Sequence, residues 1–309
     1  MLAGVPRSEE PLSIRQLEAF VALVDQGSFT RAARHLELSQ STVSGHIADL
    51  ERRLGVRVVD RDRQGVKPTA AGQALLRAAR ETLRAERSAR AVITELTGLL
   101  QGSLVVGAST IPASYLMPRL LARFGKRHPG VSLRLVTADS REILERIRSG
   151  ELELGAVGLR PEDGSLRDHA LGEDRLVLVV APDHELARRK SVPVEELLRH
   201  SFVMREEGSG TRAATLAGLA AALGAKSAPK LQAVLEVGSA EAIKAAVREG
   251  LGAALVSDLS VRDEVEHGTL AILKVKGFDV RRQFHLLARG EEALSPAARA
   301  FFAESGTAP

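Results

Sequence analysis

SIRQLEAFVALVDQGSFTRAARHLELSQSTVSGHIADLERRLGVRVVDRDRQGVKPTAAG, residues 13–72, decides how this 309-residue chain begins to fold. Ser13 and Gln16 have the spacing of a capping box, so a helix starts there. Leu17, Phe20, Val21 and Val24 fall at i, i+3, i+4, i+7 and make one apolar face. Gly27 closes that helix and Ser28 opens another, where Phe29, Ala32, Ala33 and Leu36 repeat the spacing. After a tight turn, Ser39 caps a third helix with Val43, Ile47, Leu50 and Leu54 inward and Gly55 at its end. The second and third helices form a helix-turn-helix. Val56–Val59 and Val66–Pro68 then flank a charged turn, two short strands that read as a wing.

The outward face of the third helix carries Gln40, Ser41, Thr42, Ser44, Gly45 and His46. These are short polar groups that let a helix enter a major groove and read base edges; a glutamine can pair with adenine. Around them Thr30, Arg31, Arg34, Arg52 and Arg53, with Arg61, Arg63 and Lys67 on the wing, are candidate phosphate contacts. The competing interpretation is an ordinary three-helix bundle with a solvated polar face. It has to treat three apolar faces, two caps and a basic wing as coincidence.

This stretch resembles the winged helix-turn-helix of the LysR-type transcriptional regulators. The resemblance rests on Ala32-Ala33, Ser39-Gln40-Ser41, Val43-Ser44, Leu50-Glu51, Leu54-Gly55, Arg61 and Thr69-Ala70-Ala71-Gly72, and extends from about Leu12 to about Phe302. Val58-Val59 stand where the family often has Leu-Phe, and His46 where many members carry Arg. The resemblance implies double-stranded promoter DNA as a partner, a dimer built through a linker helix and commonly a tetramer, a small-molecule effector, and RNA polymerase as a further partner of an activator. It implies no cofactor.

Composition agrees with a soluble multidomain protein. Hydrophobic residues make up 44% of the chain, and no apolar run reaches membrane-spanning length. Met1–Pro11 reads as a flexible extension without the basic start and apolar core of a signal peptide, so a cytoplasmic location is expected. Cysteine is absent, which excludes disulfides, thiol redox sensing and Cys-ligated metal. The net charge of +4 is modest: residues 1–100 hold 15 basic and 12 acidic side chains, the remainder 28 and 27. Affinity for DNA therefore depends on where the cations stand, not on their excess.

The expected organisation is a DNA-binding domain at 12–70, a linker helix at 71–100 and an α/β effector domain at 102–305. In the linker, Leu75, Ala78, Thr82, Ala85, Ala89, Val92, Leu96 and Leu99 alternate steps of three and four, a narrow seam that suits a partner helix. The alternative is a helix packed only on its own chain. Beyond Gly102 a β-α-β-α-β alternation implies a parallel sheet, and a second such unit follows from Leu176. The effector domain of the resembled family has two subdomains, like periplasmic binding proteins. Here they would be 102–173 with 274–305, and 174–273, the chain crossing near Asp174 and returning near Leu273.

Ligands of open α/β sheets sit beyond the carboxyl ends of strands. Four such loops carry hydroxyls and free backbone N–H groups: Ser109-Thr110; Ser140; Ser209-Gly210-Thr211-Arg212; and Gly238-Ser239. With Arg205 and Arg212 they make candidate donors for a small anionic effector, although each Ser or Thr can equally be a plain helix cap. "REEGSGTR", residues 205–212, is similar to the R-E-P-G-S-G-T-R of LysR-type regulators of carbon fixation and sulfur assimilation, with Glu207 in place of Pro.

Two other classes compete. One is a DNA-binding regulator whose C-terminal domain only oligomerises. The other is an enzyme on a periplasmic-binding-protein-like fold, but the eight histidines are scattered and no H-E-x-x-H, Walker A or G-x-S-x-G occurs. No catalytic residue and no metal ligand is assigned.

Overall fold

The computed structural model describes residues 11–62, 65–96, 100–158, 164–224, 231–290 and 294–306, with backbone alone at 61–62, 87–88 and 90–96. The chain divides into two units, the break falling near Thr97. In the first, α1 (Ile14–Gln26), α2 (Phe29–His35) and α3 (Gln40–Leu54) bury Phe20, Leu23, Ile47 and Leu50 almost completely. Each such side chain contributes about 1.5–3 kcal/mol. The caps are those expected. Ser13 and Gln16 exchange both capping-box hydrogen bonds, and the Ser39 hydroxyl accepts from the Thr42 N–H at 3.0 Å. Ser28 stands at the N-cap of α2 without a side-chain bond.

The wing is a hairpin of β1 (Val59–Asp62) and β2 (Gly65–Pro68), with Asp60 opposite Lys67. Backbone donors tie it to the helices: the Val66 N–H donates to the Gly27 carbonyl at 3.0 Å, and the Val58 and Val59 N–H groups donate to Glu51 Oε1 at 2.8 and 3.3 Å. The long helix α4 (Ala70–Leu96) leaves directly from the wing. It packs Leu75, Leu76, Ala79 and Leu83 on the first unit's own core, and Arg80 pairs with Asp25 at 2.5 Å. Leu75, expected in the seam, is thus partly claimed by its own domain. Ala78, Thr82, Ala85 and Ala89 remain exposed, whereas the side chains of Val92 and Leu96, and Leu99 itself, lie outside the described residues.

The second unit begins with β3 (Gly102–Ser109), α5 (Thr110–Tyr115), α6 (Met117–Arg127), β4 (Val131–Ala138), α7 (Ser140–Arg148), β5 (Leu154–Val157) and the long β6 (Arg167–Val180). It continues through β7 (Ser191–Pro193), β8 (Ser201–Arg205), α8 (Gly210–Ala222), β9 (Gln232–Val237), α9 (Ala240–Arg248), β10 (Ala254–Ser257), α10 (Arg262–Glu266), β11 (Ala271–Lys276), β12 (Arg281–Ala288) and α11 (Pro296–Ser305). One helix expected from Pro112 through Phe124 is two, broken at Leu116. Pro118, in the first turn of α6, has no N–H to continue the ladder of α5.

The sheet is mixed, not purely parallel. Strands β4, β3 and β5 are parallel, but β12 runs antiparallel to both β5 and β6. Residues 167–175 of β6 pair with β12 in the first subdomain. Residues 176–180 pair with β10 and β11 in the second, so the chain crosses near Asp174. The return near Leu273 is corrected. Strand β11 is bonded on both sides within the second subdomain through Lys276, and the chain comes back between Lys276 and Arg281. Separate cores fill the subdomains, one around Leu104, Phe124 and Phe301, the other around Phe202, Leu219 and Leu255.

One glycine fixes how the linker leaves the wing. A Cβ at Gly72 would lie 2.0 Å from the Val58 carbonyl oxygen. Gly72→Ala is expected to cost about 1–3 kcal/mol through overpacking, read as a lower melting temperature of the full chain; unchanged melting would show that α4 can pivot freely there.

Candidate functional site

The first unit presents the expected polar surface. Thr30, Arg31, Arg34, Gln40, Ser41, Thr42, Arg52 and Lys67 are exposed, while Ser44, His46 and Arg53 are half-buried. The Thr30 hydroxyl donates to Gln40 Oε1 at 3.2 Å, which orients the amide and leaves its NH2 free to face outward. Ser39 Oγ lies 2.7 Å from both Ser41 Oγ and Thr42 Oγ1, so those hydroxyls belong to the cap network as well as to the surface. Arg52 pairs with Asp49, an exposed pair worth about 0–1 kcal/mol that a phosphate can displace. Arg53 donates to the Pro11 carbonyl at 2.9 Å. Arg63 and the Arg61 side chain lie outside the described residues.

In the second unit a recess opens between the subdomains. Ser109, Thr110, Ile111, Asp139, Ser140 and Gly158 line one side; Arg205, Ser209, Gly210 and Thr211 face them across it, with Arg282 and Phe284 from β12. Its free volume is about 10 Å³, room for roughly one water, so the subdomains stand nearly closed on it and a metabolite has to part them to enter. Strand ends deliver the first group because β3, β4 and β5 are parallel and finish at one edge. At Gly208, with φ 90°, a Cβ would come within 2.8 Å of the Asp139 carboxylate, so only glycine lets the two subdomains meet this closely.

Hydrogen bonding prepares the recess for acceptors. Arg205 Nη1 donates to Thr110 Oγ1 at 3.0 Å, and Arg282 Nη2 donates to Thr211 Oγ1 at 3.1 Å. Each threonine therefore has its oxygen polarised by a guanidinium and its own proton left to donate. Ser140 is 2% exposed, and its hydroxyl has no protein partner among the described residues. The charges, however, are matched. Arg205 is held by Glu206 at 2.6 and 2.7 Å, and Arg282 by Asp174 at 2.7 Å. Asp139 caps α7 by accepting from the Glu142 N–H at 2.9 Å. What the recess offers is directional donors rather than net positive charge. Burial pushes the Asp174 carboxyl up against the pull of Arg282, and burial lowers the Arg282 guanidinium against the pull of Asp174.

Three of the expected residues are not on the recess. Arg212, in the first turn of α8 three residues past the Ser209 N-cap, donates instead to the Arg205 carbonyl and to Glu236 on β9. The Gly238 carbonyl accepts from Arg205 Nη2, and the Ser239 hydroxyl caps α9 through the Ala242 N–H. Asp139, Arg282 and Phe284 were not anticipated. The pairing of β12 with β6 is what buries Arg282. Among the described residues no three His, Asp or Glu side chains gather as a metal site, and no helix is long and apolar enough to cross a membrane.

Comparison with known proteins gives the same division. Residues 14–73 match the model of bacterial regulatory helix-turn-helix proteins of the lysR family, and residues 97–307 match the LysR substrate binding domain. The chain is 35% identical to the RuBisCO operon transcriptional regulator of Allochromatium vinosum, over 94% of each. It is 32% identical to the HTH-type transcriptional activator CmpR of Synechocystis, over 94% of this chain and 93% of that one. Full-length OxyR from Pseudomonas aeruginosa shares its fold with a TM-score of 0.75 at 23% identity, over 96% and 95% of the two chains. The CcmR regulatory domain of Synechocystis in complex with 2-PG superposes with a TM-score of 0.60 at 30% identity, over 67% of this chain and 96% of that domain.

Proposed function

This chain belongs to the LysR family of transcriptional regulators, with relatives that regulate RuBisCO operons, and on that footing we propose that it governs promoter binding through a small oxyanion held in the recess between its effector subdomains. The observation that carries the reading is the pair of threonine hydroxyls, Thr110 and Thr211, facing each other across the recess with a guanidinium behind each. The 2-PG bound by the CcmR regulatory domain supports a ligand of this class. Arg205 holds Thr110 in place, Ser109, Ser140 and Ser209 complete the donor set, and α3 reads bases while the wing holds phosphates. The protein acts as a dimer joined through the exposed small-residue face of α4, assembled further into a tetramer. Ligand shifts the equilibrium between two subdomain arrangements only by its differential affinity for them.

A single tyrosine and no tryptophan make this directly observable. Tyr115, on α5 of the first subdomain, donates to Glu241 Oε1 on α9 of the second at 3.1 Å. Titration of the full chain with 2-PG should change tyrosine emission, and Thr211→Ala should shift the midpoint to about tenfold higher concentration or more. Identical titrations for wild type, Thr110→Ala and Thr211→Ala would remove the ligand from this recess.

The DNA surface is tested separately. Gln40→Ala is expected to lose about 1–3 kcal/mol of discrimination between operator and random DNA, whereas Lys67→Ala weakens both alike and lowers the salt slope by about one. Equal losses on the two DNAs for Gln40→Ala would end the base-reading role. For assembly, Ala89→Glu places a charge on the α4 seam and is expected to abolish dimers. Sedimentation showing an unchanged mass would move the interface elsewhere.

A further inference from the structure

The recess holds one cation that is committed to its surroundings differently from the rest. Arg282 and Asp174 stand directly opposite each other in the antiparallel pairing of β12 and β6, at the point where the chain passes between subdomains. Their side chains are 8% and 0% exposed. Arg282 Nε donates to Asp174 Oδ2 and Nη2 donates to Thr211 Oγ1, but Nη1 has no hydrogen-bond partner among the described residues. The guanidinium lies over the Phe284 ring, 5.1 Å from its centroid, which fixes its plane. Gly158 faces Nη1, where a Cβ would sit 3.6 Å away and narrow the approach.

Resting on the reading of the recess as an oxyanion site, we infer that Arg282 is its principal anion-recognising residue and Asp174 the positioning residue that sets how tightly it takes the anion. Arg205 is the weaker donor. Its Nε and Nη2 serve Glu206 and the Gly238 carbonyl, and Nη1 already serves Thr110. Arg282 keeps both Nη1 protons for a carboxylate or phosphate oxygen, on the edge of the guanidinium away from Asp174. A buried ion pair is seldom retained for stability, since its desolvation offsets its attraction. A buried guanidinium with an unused edge gains a charge-assisted bond when an oxyanion arrives, and the anion replaces the missing partner. Asp174 competes for the same positive charge, aided by the Ser257 hydroxyl that donates to its Oδ1 at 2.6 Å. The two members of the pair therefore act on ligand affinity in opposite directions, which a purely structural pair would not do.

The test is calorimetric titration of the full chain with 2-PG, with inorganic phosphate and malonate as competitors to distinguish phosphate from carboxylate recognition. The double variant Arg282→Gln, Asp174→Asn removes both charges without stranding either, and its cooperative melting is the folding control. It is expected to lose affinity by about tenfold to a hundredfold, whereas Asp174→Asn alone tightens binding severalfold. Displacement by either competitor supports oxyanion recognition; displacement by neither overturns it. Wild-type affinity in the folded double variant, while Thr110→Ala and Thr211→Ala still weaken binding, overturns the role of Arg282 and leaves the recess assignment standing. No binding of any anion by the wild-type chain, or none of these variants affecting it, overturns both. Weakened binding in Asp174→Asn as well as in the double variant reduces the pair to a structural strut and overturns the inference.

Discussion

The antiparallel pairing of β6 with β12 is the constraint on which the second unit depends. The two strands run side by side from Arg167–Ala288 to Arg175–Arg281, and β6 then continues into the second subdomain as its central strand. Every element of the second subdomain is strung between these two strands. Backbone hydrogen bonds in such a ladder resist shear along the strands but permit bending and twisting about them. The fold therefore joins its halves at a ribbon, and the recess beside that ribbon is where a small ligand has most leverage on the angle between them.

The first unit works by the opposite principle. Its helices, wing and linker are tied by short, specific bonds: Glu51 to the Val58 N–H, Gly27 to Val66, Arg80 to Asp25, and Gly72 against Val58. Any rotation of the N-terminal part of α4 must carry the wing and α3 with it. A base-reading helix has to hold its side chains to within a fraction of an ångström of their partners, and this bracing supplies that rigidity.

Local chemistry was the legible part of the sequence. The capping box at Ser13, the glycine ends at Gly27 and Gly55 and the apolar spacing of α1–α3 are short-range signals, and they gave the elements within a residue or two. The subgroup likeness of residues 205–212 agreed with the RuBisCO-operon relatives. Long-range placement was not legible. Hydroxyls at strand ends look alike in sequence, so Ser140 and Ser239 read the same way although only the former lines the recess. Arg212 looked like a clamp because it follows the Gly-Ser-Gly-Thr loop, yet one turn of α8 directs it to Glu236. Arg282 lacked any local mark, since its burial follows from which strand lies beside it, and strand partners are not written in neighbouring residues.

The matched charges of the recess set how the two ends of the molecule respond to ionic strength. If exposed Arg31, Arg34 and Lys67 hold phosphates as proposed, DNA binding releases condensed counterions and weakens steeply as salt rises. In the recess Arg205 pairs with Glu206 and Arg282 with Asp174, and all of these side chains but Glu206 are almost fully buried, so mobile ions screen them less. On the proposed reading, a rise in salt loosens the grip on DNA while leaving the buried pairs of the recess in place, so the output becomes easier to release without the sensor being rebuilt.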